Sequence, residues 1–285
     1  MTNISPALCG RYSAAPSEAT IKAVVNLHRD IRQIIEDASG NRFTTFLQGS
    51  YRNGTALPEI NDVDIITVYD PGRSPAATDY WTALFEYVAA ILAKPGSAYQ
   101  SAEITDKCIA VHGTVSADVV PALASTPETS SIDPIQIFSR RVGRERDNYP
   151  RKHFENGVRK QADTKDAFKP AVRMLKRWAR QYDTLQVPSY YLECAVYSVP
   201  DGAFRAYDPL SFASVATKVV GIGPSDSIPS IGSKKNIRGS TEWCDDDFAA
   251  FQEFLWGDLD RVFNALEADT STSADRYWSL AFGDL

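Results

Sequence analysis

The stretch that decides the fold runs from Gly49-Ser50-Tyr51-Arg52-Asn53-Gly54-Thr55 to Asn61-Asp62-Val63-Asp64-Ile65-Ile66-Thr67-Val68. Residues two apart on an extended strand project from the same face. Asp62 and Asp64 therefore aim two carboxylates at one point, and the apolar run behind them anchors the strand in a core. Upstream, Phe43 to Gln48 reads as a strand entering a Gly-Ser turn. Such a turn offers backbone N–H groups and a hydroxyl, donors that suit a phosphate tail.

A third carboxylate joins them. Ala110-Val111-His112 and Thr114-Val115-Ser116-Ala117-Asp118-Val119-Val120-Pro121 read as a short hairpin around Gly113. Asp118 lies within an apolar strand, where an unpaired charge is costly, and a shared cation would account for it. Hard cations such as Mg²⁺ take carboxylate oxygens together with substrate phosphates. Two-metal catalysis of in-line phosphoryl displacement uses about three carboxylates and ions roughly 3.5–4 Å apart. Each piece has a plainer reading: an Asp-x-Asp pair is often a turn or a capped strand end, and Asn61-Asp62 suits a turn. The whole order is more specific. It supplies a triphosphate cradle beside a platform for two Mg²⁺ ions, with Mn²⁺ as a substitute, which are the parts of a nucleotidyltransferase.

A chain of 285 residues holds one large domain or two modest ones, and 44% hydrophobic residues sustain a packed core. No apolar run reaches the roughly 18 residues of a membrane span. Met1 to Arg11 lacks the basic-then-apolar order of a signal peptide. A cytoplasmic protein with no membrane partner is therefore expected. Cys9, Cys108, Cys194 and Cys244 lie far apart without a C-x-x-C pair, so reduced thiols are expected in place of disulfides or zinc. A net charge of −6 favours a small nucleotide substrate over long nucleic acid, although a local basic groove can coexist with an acidic exterior.

Helical spacing of Ile21, Val24, His28, Ile31 and Ile35 predicts a helix capped by Ser17 and stopped by Gly40. Pro71-Gly72 breaks the chain after the aspartate strand. Trp81, Leu84, Phe85, Val88 and Leu92 predict a second helix, ended by Lys94-Pro95-Gly96. Helices and strands in this order predict an α/β (α+β) catalytic core over residues 1–148 and, from about Pro150, a mostly helical lobe over 149–285. In that lobe Phe168, Val172, Leu175, Ala179 and Tyr182 form an apolar stripe. Pro170 should fall in its first turn or kink it. Lys169, Arg173, Lys176 and Arg180 follow one position later, a basic stripe whose plain reading is a solvated helix face. Ser189 is a candidate cap for a helix from Tyr190 to Val199, and residues 200–240 read as irregular. Asp245-Asp246-Asp247 opens a last helix carrying Phe248, Phe251, Leu255, Leu259 and Leu266; its acidic run complements the helix dipole and is not read as a metal site.

Three further stretches are distinctive: Asn148-Tyr149-Pro150-Arg151-Lys152-His153-Phe154-Glu155-Asn156-Gly157, Phe168-Lys169-Pro170-Ala171-Val172-Arg173-Met174-Leu175-Lys176 and Pro188-Ser189-Tyr190-Tyr191-Leu192-Glu193-Cys194. With Ala117-Asp118-Val119-Val120-Pro121, they resemble the CD-NTases, bacterial relatives of cGAS and DncV-like enzymes that make cyclic di- or trinucleotide signals. Within that family they are similar to clade E, called CdnE. The likeness runs from about Phe46 to about Pro200.

The resemblance implies a polymerase-β-like core, a C-terminal helical lobe, a first helix bracing both, and an active site in the cleft between lobes. By position, Asp62, Asp64 and Asp118 match the metal-binding triad, and Gly49 and Ser50 match the triphosphate turn. Lys176 matches a lysine that reaches the donor's phosphates. Ser189 and Tyr190 match the residues that hold phosphate and stack on a base. Asn156 matches an asparagine associated in clade E with choosing uracil. An amide offers both a donor and an acceptor to uracil's edge, while an asparagine before glycine is also a common turn. Tyrosine pairs such as Tyr190-Tyr191 also pack cores. Departures are Asn61 in place of a common serine and an insertion-like Pro58-Glu59. The zinc insertion of animal cGAS is lacking, and the ending Asp284-Leu285 gives no support to conjugation through a terminal glycine.

The expectation is a monomeric, template-free cyclase using UTP and ATP. Its product would be cyclic UMP–AMP or cyclic di-UMP, acting on a separate effector in antiphage (CBASS) signalling. Two rivals stand beside it: a transferase adding nucleotides to an RNA or protein acceptor, and a non-catalytic nucleotide-binding scaffold.

Overall fold

Alternation along one strand sets the architecture. In a computed structural model, which describes residues 2–40, 42–59, 62–69, 78–93, 101–113, 115–125, 133–185, 187–206, 208–239 and 243–284, β2 (Asp62–Tyr69) buries both faces. Val63 and Ile65 enter one core, and Ile66 and Val68 enter another. A strand buried on both faces belongs inside a sheet. Accordingly β1 (Phe43–Leu47) pairs with β2 antiparallel, and β5 (Ser116–Ala124) pairs with its other edge in parallel. β4 (Ile109–Val111) lies antiparallel to the first half of β5 and carries β3 (Ala102–Ile104) beyond it. β6 (Ile135–Ser139) pairs with the second half of β5, and β7 (Arg144–Asn148) with β6. The hairpin expected around Gly113 is therefore present. Asn61, Pro71-Gly72, Lys94-Pro95-Gly96, Thr114 and Leu285 lie outside the described residues.

Two helices cover the face of Val63, Ile65, Ala117 and Val119. One is α2 (Glu18–Ser39), whose Ser17 side chain accepts from Thr20 N and whose Gly40 closes it with φ of 64°. Val24, Leu27, Ile31 and Ile35 are its buried stripe; Ile21 is exposed, and Leu27 takes the place assigned to His28. The other is α4 (Thr78–Leu92), which buries Trp81, Leu84, Phe85, Val88 and Leu92 as the spacing predicts.

The chain contacts group into two units that are not a single cut: Pro16–Asn53 with Pro58–Phe154, and Met1–Ala15 with Gly54–Leu57 and Glu155–Leu285. The second is helical: α1 (Pro6–Ser13), the end of α5 (Pro150–Asp163), α6 (Phe168–Ala179), α7 (Ser189–Ser198), α8 (Asp208–Val220), α9 (Asp245–Glu267) and α10 (Ser271–Ala281). α6 packs against α1, α7 and α8. Phe168, Val172, Leu175 and Ala179 of its predicted stripe are buried, Tyr182 lies beyond its end and is half-buried, and Pro170 sits in its first turn. Trp178, Phe212, Phe248, Phe251 and Trp278 fill the core. Trp178 Nε1 donates to the buried Asp258 carboxylate at 2.8 Å, so that charge is hydrogen-bonded as burial requires.

Several expectations need correcting. Residues 200–240 are not irregular throughout: α8 occupies 208–220, burying Phe212, Val215, Ala216 and Val219 at helical spacing that the small residues around them mask. Helices α1 and α10 carry too few large apolar residues to stand out, yet both form. Ser189 is the first helical residue of α7, and Pro188, whose side chain makes no cap hydrogen bond, holds the N-cap position. At α9, Asp247 accepts from Cys244 N at 3.0 Å, so the acidic run does serve as a cap.

Candidate active site

The acidic corner of the sheet follows from register. Asp64 of β2 is the Cα partner of Asp118 of β5, and Asp62 is the partner of Ser116. By alternation, Asp62, Asp64 and Asp118 share the face of Ile66, Val68 and Ala122, opposite α2 and α4. Burial, and after it the negative charge of Asp62, push the Asp118 carboxyl above its ordinary range; a hydrogen bond from Cys108 and the nearby His112 act against this. Cys108 answers in kind. Its thiol is pushed up to about 12, first by burial and then by Asp118 and Asp64.

Asp62 and Asp118 carry like charges on one face beside Asp64, and a hard cation would relieve their repulsion. The donor chemistry therefore fits a divalent ion. Among the described residues, however, no group of three His, Cys, Asp or Glu side chains is gathered as a finished ion cage.

Gly49 and Ser50, expected as a turn, open a five-residue helix, α3 (Gly49–Asn53). Gly49 has φ of 70°, and a Cβ there would overlap the Asp64 carboxylate, lying 2.7 Å from its Cγ. Only glycine permits this approach of the α3 N-terminus to the Asp64 side chain. Beside it, Gln48 Oε1 and Tyr51 Oη are buried without a hydrogen-bond partner among the described residues. The far end of α3 is held by the Asn148–Gly157 motif: Arg52 lies over the Phe154 ring at 3.9 Å, and Asn53 Nδ2 and His153 Nε2 are 3.0 Å apart.

In the helical unit the basic stripe is a solvated face only at Arg180; Lys169 and Arg173 are half-buried and Lys176 is buried. Lys176 is 4% exposed, and its Nζ meets Glu193 Oε1 at 2.5 Å, with Thr55 O at 3.3 Å. Arg173 donates to Ser13 O and Gly54 O, each at 2.7 Å. Asn156 is not a turn residue, since α5 runs through it and Gly157. Its Nδ2 donates to Ile231 O at 2.7 Å, and its Oδ1 receives no donor among the described residues. Tyr190 is 40% exposed, its hydroxyl 2.7 Å from Ser230 Oγ and its ring edge-on to Tyr191. Ser189 beside it is exposed.

Sequence reasoning missed Glu193, Cys108 and Ser230. Glu193 lay within a quoted motif, and a buried-helix glutamate four residues beyond Ser189 was its signal; nothing in the sequence marks the other two. No helix among the described residues is long and apolar enough to cross a membrane.

Comparison with known proteins bears on both units. Residues 28–115 match the nucleotidyltransferase domain, and residues 155–258 match the cGAS/DncV-like nucleotidyltransferase C-terminal helical domain. A cyclic dipurine nucleotide synthase from Elizabethkingia meningoseptica is 32% identical over 58% of this chain and 66% of its own. The cyclic dipyrimidine nucleotide synthase CdnE of Legionella pneumophila is 31% identical over 68% of this chain and 76% of its own. Among solved structures, Rhodothermus marinus CdnE c-UMP-AMP synthase with Apcpp and Upnpp has a similar fold. Its TM-score is 0.70 at 24% identity, covering 89% of this chain and 97% of that one. Nucleotidyltransferases of this kind generally use divalent metals. A catalytic sheet with its acidic corner, followed by this helical domain, is the arrangement of an enzyme, and the chain belongs to the cGAS/DncV-like nucleotidyltransferases, the CD-NTases, within the CdnE clade.

Proposed function

We propose that this chain is a template-free cyclic dinucleotide synthase. It joins two nucleoside triphosphates, releasing pyrophosphate at each of two steps: a linear dinucleotide forms first, and a second attack closes the ring. The observation that carries this reading is the Asp64–Asp118 register with Asp62 on the same face, its charge raising the pKa of Asp118. Asp62, Asp64 and Asp118 would hold Mg²⁺. Bound there, the ions lower the pKa of the attacking hydroxyl and neutralise the leaving pyrophosphate. Gly49 and Ser50 donate to the phosphate tail. Ser189 adds a hydroxyl, and the exposed Tyr190 ring stacks on a base. Lys176 serves the phosphates by exchanging its Glu193 partner for them.

The relatives include dipurine, dipyrimidine and UMP-AMP synthases, so base choice must rest on particular residues. Asn156 supports a uridine nucleotide. Its Oδ1 is an open acceptor for uracil N3–H, and its second Nδ2 hydrogen is a donor for O4. Cyclic UMP–AMP or cyclic di-UMP is the proposed product, made in the cytoplasm by a monomer and read by a separate effector in antiphage defence.

Mass spectrometry of products from the pure protein with all four NTPs and Mg²⁺ tests this. A uridine-containing cyclic dinucleotide is expected. Purine-only rings overturn the Asn156 assignment. Nucleotides added to an RNA or a protein favour the acceptor-modifying reading, and no product at all favours the scaffold.

A further inference from the structure

Two of the proposed base-contacting side chains are held by adjacent residues of one loop. Ser230 Oγ is 2.7 Å from the Tyr190 hydroxyl, and Ile231 O accepts from Asn156 Nδ2 at 2.7 Å. Cys194, one turn beyond Tyr190 on α7, also hydrogen-bonds the Ile231 backbone. The loop is itself braced. Ile237 N donates to Ile228 O at 2.9 Å, Ser230 N to Lys235 O at 2.8 Å, and Ile228 N to Asn236 Oδ1 at 3.0 Å. Ile228 and Ile231 are each 1% exposed, so the loop is anchored from below by apolar burial and closed from above by Asn236.

We infer that the Ile228–Ile237 loop is a specificity-determining element, with Ser230 and the Ile231 carbonyl as positioning groups that fix two nucleobase readers together. The inference rests on the nucleobase roles proposed above for Tyr190 and Asn156. A tyrosine ring turns about two side-chain bonds; tying the Tyr190 hydroxyl fixes where the ring axis points, and the edge-on packing of Tyr191 limits the plane that the ring presents to a base. An amide tied through one N–H has its remaining donor and its acceptor facing set directions. Because both ties end on neighbouring residues, a shift of the loop moves both readers at once. Product choice in this enzyme then depends on residues that need not touch the nucleotide.

The test uses the full chain with equimolar UTP and ATP, reading KM, kcat and the product ratio. Ser230→Ala should raise the KM for the preferred nucleotide about three- to tenfold, the scale of one neutral hydrogen bond, with kcat changed by less than about twofold. Ser230→Ala combined with Tyr190→Phe should be no worse than the more impaired single variant, because both remove the same bond. Asn236→Ala touches neither reader and should shift the product ratio in the same direction as Ser230→Ala. Additive effects in the double variant, or wild-type KM and products in folded Ser230→Ala and Asn236→Ala, overturn the inference. Asn156→Ser is run in parallel to separate the two failures. Unchanged products there overturn the nucleobase reading itself. Changed products there, with unchanged products in the loop variants, overturn the role of the loop alone.

Discussion

Asp64 and Asp118 meet because two parallel strands place their Cα atoms in register, whereas Asn156 and Tyr190 are aimed by side-chain hydrogen bonds to a loop 75 and 40 residues further along the chain. The sheet unit places its proposed metal ligands with backbone, and the helical unit places its proposed base readers with tethers. Backbone placement tolerates changes of side chain: an aspartate replaced by asparagine still points where its strand points. Tethered placement does not, because each reader depends on the group that holds it. Substitutions in the first unit should therefore remove chemistry without moving structure, and those in the second should move structure and change selectivity.

The largest effects are expected at the acidic corner. Asp62→Asn and Asp64→Asn should each abolish product formation, since an amide keeps the shape but loses the charge proposed to hold Mg²⁺. Melting temperatures should stay close to wild type, because relieving carboxylate repulsion offsets any loss of solvation. Asp118→Asn should behave alike, with partial rescue by Mn²⁺. Near-normal turnover in any of these folded variants would break the comparison at its strongest point.

Gly49→Ala is the next most severe. The added Cβ would overlap the Asp64 carboxylate, and the left-handed backbone costs a non-glycine residue about 1–2 kcal/mol. Loss of turnover should far exceed the modest loss of stability, measured as a fall in Tm of a few degrees. A variant with wild-type kinetics would show that the approach of Gly49 to Asp64 is not used.

How much of this was legible follows from the same contrast. Strand alternation announced Asp62, Asp64 and Asp118, because a period of two fixes a face without knowledge of any partner. The apolar stripe of α6 was legible for the same reason, at a period near 3.6. Lys176 looked like part of a solvated stripe because its partner Glu193 lies seventeen residues away on another helix, a pairing no local pattern encodes. Asn156 before Gly157 looked like a turn because the dipeptide favours one, yet α5 overrides that preference. Ser230 carries no signal at all: a serine in a stretch rich in Gly, Ser and Pro acquires its role only when α7 delivers Tyr190 to it.

The buried Lys176–Glu193 pair supplies an intermediate effect and tests the assignment of Lys176. Removing one member of a buried ion pair costs about 3–5 kcal/mol, while replacing both with apolar residues is often neutral. Lys176→Met should therefore lower both Tm and turnover. Adding Glu193→Leu should restore Tm. If turnover stays low in the restored double variant, Lys176 serves the phosphates; if it returns, Lys176 is a packing residue, and the positional match with the family fails there.

Gly157→Ala carries the smallest expected effect and cuts closest to the comparison. Gly157 lies inside α5, where a Cβ would meet nothing within 4 Å. Glycine in a helix interior is less stable than alanine by roughly 0.5–1 kcal/mol, so the variant should melt a little higher. Its neighbour Asn156 keeps the hydrogen bond to Ile231 O, because that bond is made by side chain and loop, not by the freedom of the helix backbone. The product ratio should then be that of wild type. This outcome sets Gly157 against Gly49: the same substitution is harmless where a tether governs the reader and ruinous where backbone governs the carboxylate. A product ratio that moves in Gly157→Ala would mean that α5 must flex for Asn156 to read its base, and the tether would no longer suffice as the device that aims it.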